Sequence, residues 1–140
     1  MEKYQQNKYL ADLGLDITKY GTNFVDASID EREENWKKQR EEYGFDEREV
    51  WNLDIIFIQW LYSHLMMYKE KASQIIDLSY YTNYKWGERK ITLEKAIDKV
   101  LAATKAILVA EDFDEKERKY QYFCKNIMPL LAEILPALWY

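Results

Sequence analysis

Between Phe45 and Glu70 the chain carries more apolar side chains than one helix can leave in water, and this run constrains the fold more than any other segment. Asp46 and Glu49 have the spacing of a capping box, and Phe45 with Val50 has that of a hydrophobic staple, so a helix is expected to start here. Within it Val50, Leu53, Phe57, Leu61, Leu65 and Tyr68 form one stripe, and Trp51, Ile55, Ile58 and Tyr62 an adjoining one. A helix with so wide an apolar surface needs neighbours on most sides. Only a narrow polar strip near Asn52, Gln59, Ser63 and Glu70 is expected to meet solvent or a partner. The stretch from Leu53 to Met67 is not a membrane span, because Asp54, Gln59, Ser63 and His64 interrupt it. Asp54 falls on the side that should be covered. It is therefore expected to be a structural buried polar residue, held by an ion pair or by backbone donors, with a binding role as the alternative.

The covering elements are helical too. Ser28 and Glu31 repeat the capping spacing and predict a helix from about Ile29 to Tyr43, anchored by Trp36 and ended by Gly44. Thr92 is placed to cap a helix in which Leu93, Ile97, Val100, Leu101, Thr104, Ile107 and Leu108 keep a spacing of three and four. Asp114 opens a last helix with Tyr120, Phe123, Ile127, Leu131, Ile134 and Leu138 inward, and Pro129 should kink or break it. Residues 1–27 read as a less regular arm, with a short helix around Tyr4 to Leu13 that stops near Gly14. Strand-favouring residues before a turn at Gly87-Glu88 predict a small hairpin near residues 78–91. With four Gly and two Pro spread along the chain there is no linker, so residues 1–140 are expected to form a single domain. The expected fold is mainly α, a helical bundle of about four helices with a small β-hairpin.

Several function classes lose support on composition. One cysteine, Cys124, permits no internal disulfide, and no Cys/His cluster has zinc spacing. The polar N-terminus, Met1-Glu-Lys-Tyr-Gln-Gln-Asn-Lys, lacks the form of an export signal, so a cytoplasmic location is expected. A net charge of −5, with acidic and basic residues interleaved, disfavours attraction to nucleic-acid phosphates or an anionic membrane. That leaves a protein as the expected partner. His64 is the only histidine, and no motif ties it to Cys124 or to a serine. Cys124 reads as a small buried hydrophobe of the last helix. Glu31 with Glu34, and Glu94 with Asp98, invite comparison with all-α nucleotide pyrophosphohydrolases, which bind magnesium through acids three apart on two helices. The second pair is four apart and the first sits in a helix start, where acids are favoured anyway. No catalytic residue, metal site or cofactor is expected.

Tyr80, Tyr81, Tyr84 and Trp86 are too many aromatics for a small hairpin to bury, and such residues dominate protein interfaces. They are the expected binding residues, with Arg89 and its neighbours Lys85 and Lys90 as rim charges. Single-stranded bases also stack on aromatics beside basic residues, but the acidic balance of the chain makes that the lesser reading.

Trp51-Asn-Leu-Asp54, Trp60-Leu-Tyr62, Tyr68-Lys-Glu70, Ile76-Asp-Leu78 and Pro136-Ala-Leu-Trp139 resemble features of small uncharacterised proteins of phages and prophages of Gram-positive bacteria, over residues 43–140. No catalytic residue comes with this resemblance. It implies a viral setting inside a bacterial host cell, where small non-enzymatic phage proteins act on host machinery, including CRISPR nucleases and other defence complexes. The expected function is thus an anti-CRISPR-like inhibitor that occludes a host protein. The alternatives are a magnesium-dependent pyrophosphohydrolase-like enzyme and a virion or replication accessory protein. The apolar end, Leu135 to Tyr140, is expected either to pack inward or to form a homodimer contact.

Overall fold

A computed structural model describes residues 7–15 and 32–140. The Ser28–Glu31 capping box and most of the expected arm lie outside these residues. Within the arm, helix α1 (Lys8–Ala11) is capped by the Asn7 side chain, which accepts from the Tyr9 and Leu10 N–H groups, and Leu10 is buried. The chain divides into two compact units, residues 1–60 and 61–140, with the division inside a 20-residue helix. Both are mainly helical, and the second carries a two-stranded antiparallel hairpin, so the expected fold class is observed.

In the first unit, helix α2 (Glu33–Tyr43) turns Trp36 inward with 1% of its surface exposed. Gly44 ends it in the left-handed conformation at φ 85°, where a side chain would be strained. The capping box expected at Asp46 does not form. Its carboxylate accepts instead from the backbone and guanidinium of Arg48, and the Glu49 N–H goes to the Asp46 carbonyl. Phe45 and Val50 are both exposed, so the staple is absent as well. Helix α3 (Arg48–Trp51) stops at Asn52, whose backbone (φ −127°, ψ 59°) is not helical, and helix α4 (Leu53–Ala72) begins on the other side. The run read as one helix is thus two.

The inner face of α4 agrees with the sequence reading at Ile58, Leu61, Tyr62 and Leu65, which are buried, and differs elsewhere. Gln59 and Ser63, assigned to the solvent strip, are buried, whereas Leu53, Phe57, Trp60 and Met67 are exposed. Apolar residues surround this helix so completely that periodicity alone does not pick out its inner face. Asp54 follows from the same error. It is exposed, in the first turn of α4, where a carboxylate complements the partial positive charge of free N–H groups and needs no buried partner.

In the second unit, strands β1 (Tyr84–Trp86) and β2 (Arg89–Ile91) pair in the register Tyr84 to Ile91, Lys85 to Lys90 and Trp86 to Arg89, and the turn uses Gly87 at φ 61°. Helix α5 (Leu93–Leu108) is capped by the Thr92 hydroxyl, which accepts from the Lys95 N–H. Its Ile97, Val100 and Ile107 are fully buried, and the Thr104 hydroxyl is satisfied by the Val100 and Leu101 carbonyls. Helix α6 (Phe113–Tyr122) starts two residues earlier than expected because Asp112, not Asp114, caps it.

The ladder then widens into a π-turn over Phe123–Ile127 before helix α7 (Met128–Ile134) and a short 3-10 turn (Leu135–Ala137). Pro129, expected to kink or break the helix, stands at the start of α7 directly after this turn, where a missing N–H costs little. Phe123 and Ile127 point into the core, with Leu130, Leu131 and Ile134 behind them. Cys124, read as buried, is exposed, since the inward positions are taken by its neighbours at Phe123 and Ile127. Helix α5 packs against α6, the π-turn, α7 and β1, and α7 also contacts β1.

Candidate binding surface

The loop ahead of the hairpin is tied down by backbone bonds. The Asp77 carboxylate accepts from the Ser79 N–H and hydroxyl, which holds its pKa below the ordinary value, and Leu78 is buried. The carbonyls of Leu78 and Tyr81 accept from Glu94 and Leu93 in the first turn of α5. These bonds fix the positions of two aromatic residues. Tyr80 is 77% exposed, and its ring meets that of Tyr81 edge to face, at 5.5 Å and 89°. Tyr84 follows at the start of β1, half-buried.

Tyr81 and Tyr84, together with Tyr140, are electrostatic neighbours of Tyr68 in α4. Its hydroxyl donates to the Trp139 carbonyl at 3.2 Å, and its ring lies 5.8 Å from that of Tyr140. Burial raises the Tyr68 pKa, and the neighbouring phenols of Tyr84, Tyr140 and Tyr81 raise it further. Tyr68 is therefore a protonated donor at neutral pH, not a base. Trp139, which precedes Tyr140 in sequence, is 74% exposed. Leu135 and Tyr140 are also exposed, so the C-terminal segment adds apolar surface while its backbone is held by Tyr68.

Of the five expected binding residues, Tyr81 and Tyr84 thus neighbour Tyr68, and Tyr80 joins them through its ring contact with Tyr81. Trp86 and Arg89 sit opposite each other farther along the hairpin. Arg89 is exposed, and one face of the half-buried Trp86 is covered by the Lys99 ammonium, 4.5 Å from the ring centre. Sequence reading gives Tyr68 to the core and Trp139 and Tyr140 to the core or a homodimer contact, and does not join them to the hairpin aromatics. Tyr68 looked like one more core position of the central helix, and nothing local joins it to residues about seventy positions away.

Asp98 of the carboxylate pair considered for magnesium is bonded to the Lys69 ammonium, and Glu94 is half-buried at the start of α5. Among the described residues no group of three or more His, Cys, Asp or Glu side chains is placed to hold a metal ion. His64 is exposed, its Nδ1 3.4 Å from the Ser63 hydroxyl. No described helix is long and apolar enough to cross a membrane.

The first unit holds a second polar cluster, and it is structural. Asp46 is buried and accepts from Arg48 at 2.7 Å and from Arg40 at 2.9 Å, while Arg40 also reaches Glu33. The Arg48 guanidinium lies over the Trp36 ring at 4.3 Å, and the indole N–H of Trp36 donates to Glu47. Burial alone would raise the Asp46 pKa, but hydrogen bonds from Arg48 and Arg40 outweigh it and the net shift is downward. Compared with known proteins, the chain matches no family model, no curated protein and no solved structure.

Proposed function

We propose that this chain is a non-enzymatic binding protein that docks a protein partner on the aromatic surface of Tyr68, Tyr80, Tyr81, Tyr84, Trp139 and Tyr140. The observation that carries this reading is the exposed Tyr80–Tyr81 pair, fixed by backbone bonds to α5 and continuous in chemistry with the Tyr68–Tyr140 contact. Tyrosine suits such a role because it buries a large area, keeps a polar tip and loses little rotamer freedom on binding. A prepositioned aromatic patch also lowers the ordering cost of association.

In the phage setting implied by the sequence resemblance, the partner is a subunit of a host defence complex in the bacterial cytoplasm, and inhibition works by occlusion. The test is capture from host lysate, with the bound proteins identified by mass and the nuclease activity of the captured complex assayed. Parent protein that binds and silences a defence nuclease, with both effects lost in a folded Tyr80→Ala, Tyr81→Ala variant, supports the reading. Equal capture and inhibition by that variant overturns the aromatic surface as the contact. No effect of the parent on any captured nuclease overturns the counter-defence role.

A further inference from the structure

Helix α6 runs beside α5, yet none of its residues from Phe113 to Tyr122 is buried. Helices pressed together normally interlock side chains of both partners. Here α5 offers the methyl groups of Ala102, Ala103 and Ala106 beside Lys99, and a groove of about 630 Å³ is left between the two helices. That volume lies within the range of small-molecule sites. The lining residues run from Lys99 to Ala106 on one side and from Glu115 to Tyr122 on the other, a length of about 10 Å at the helical rise. This is the scale of a small molecule rather than of a docked helix.

The chemistry of the walls is specific. Lys99, Arg118 and Lys119 face the groove, against one carboxylate, Glu115. Glu115 Oε2 is occupied in part by the Glu111 N–H at 3.4 Å, and Lys99 rests on the Trp86 ring, which leaves its positive charge in place. In a chain of net charge −5 this local excess of cations stands out. Arg118 and Tyr122 are four apart on α6, so two flat groups lie one turn from each other on the same wall. Guanidinium and phenol faces both stack on aromatic rings.

We propose that this groove binds a small organic anion with a flat aromatic body, such as a nucleoside monophosphate. The body rests on the alanine floor between Arg118 and Tyr122, and the anionic head is held by Lys99, Arg118 and Lys119. The site is separate from the aromatic surface and does not depend on the reading of that surface.

The test is alanine-methyl NMR of the full chain titrated with adenosine 5′-monophosphate, 8-anilinonaphthalene-1-sulfonate and indole-3-acetate, with adenosine and inorganic phosphate as controls. At least one of the aromatic anions should shift the Ala102, Ala103 and Ala106 methyl signals saturably, with an affinity at least tenfold above that of either control. Arg118→Gln with Lys119→Gln should weaken it at least tenfold with no change in Tm, and Ala106→Phe should abolish it by filling the groove. The proposal is overturned if none of the three anions moves these methyls. It is equally overturned if adenosine or phosphate binds as well, or if the Gln variant binds as tightly as the parent.

Discussion

The guanidinium of Arg48 is sandwiched in function between two residues, stacking 4.3 Å from the Trp36 ring and donating through its NH2 group to the buried Asp46 at 2.7 Å. Charge and packing are joined at this point, because a buried ion is tolerated only where it is paired.

Replacing Arg48 with Met keeps much of the volume over Trp36 but removes the guanidinium donors to Asp46. Arg40 remains as a partner, 2.9 Å from the Asp46 carboxylate. Breaking a buried pair in this way costs about 3–5 kcal/mol, so Arg48→Met should lower the urea midpoint sharply. A shift of less than about 1 kcal/mol, the scale of an exposed pair, would show that Arg48 is not needed.

Asp46 sets an acid limit on stability. Its folded pKa lies below the ordinary value of 3.8, so the ionised form favours folding. That contribution is complete above the unfolded value and is lost as the pH falls through the lower, folded one. Thermal melts between pH 6 and pH 2 should therefore drop steeply at the acid end. Asp46→Asn should be less stable at pH 6 and should show a smaller drop, and parallel curves would contradict the assignment.

Tyr68 should be among the last tyrosines to ionise, because burial and nearby phenols raise its pKa above 10.0. The sign is opposite to that of Asp46, since stability gained from the protonated phenol is lost as the pH rises through its folded value. Difference absorbance at alkaline pH should show a late-titrating phenol that disappears in Tyr68→Phe. The same variant should lose about 1 kcal/mol through the bond to the Trp139 carbonyl.

Asp54→Ala is expected to leave stability nearly unchanged, within about 1 kcal/mol for the loss of a carboxylate near a helix start. A large fall in Tm would mean that the residue is covered after all.

The elements legible in the sequence are those with local causes. Gly44 ends α2, Thr92 caps α5 and Gly87 turns the hairpin, each through atoms within a few residues. The faces of α4 are legible only in part, at Ile58, Leu61, Tyr62 and Leu65, because apolar residues occupy nearly its whole circumference and little contrast marks the inside. The same lack of contrast hides that the buried acid is Asp46 and that Asp54 is exposed. Asp46 looked like an ordinary cap, and its second partner, Arg40, comes from the preceding helix across the Gly44 turn. The candidate surface was half visible. Tyr80, Tyr81 and Tyr84 are close in sequence, whereas Tyr140 reaches Tyr68 only through the tertiary fold.

The π-turn at Phe123–Ile127 holds one residue more than an α-turn would, so everything after it is rotated by about 100° relative to an uninterrupted helix. Met128 already closes the wider ring, donating to the carbonyl of Phe123. The wide turn takes up that surplus residue, and with it sets the phase of α7 and the arrival of Tyr140 at Tyr68. Deleting a single exposed position such as Lys125 would let the turn close to ordinary α geometry with Leu130 and Ile134 still facing inward, whereas drawing the turn tight with every residue kept would swing them outward. This stretch of chain is thus the place where the helix can give up a letter without losing its phase.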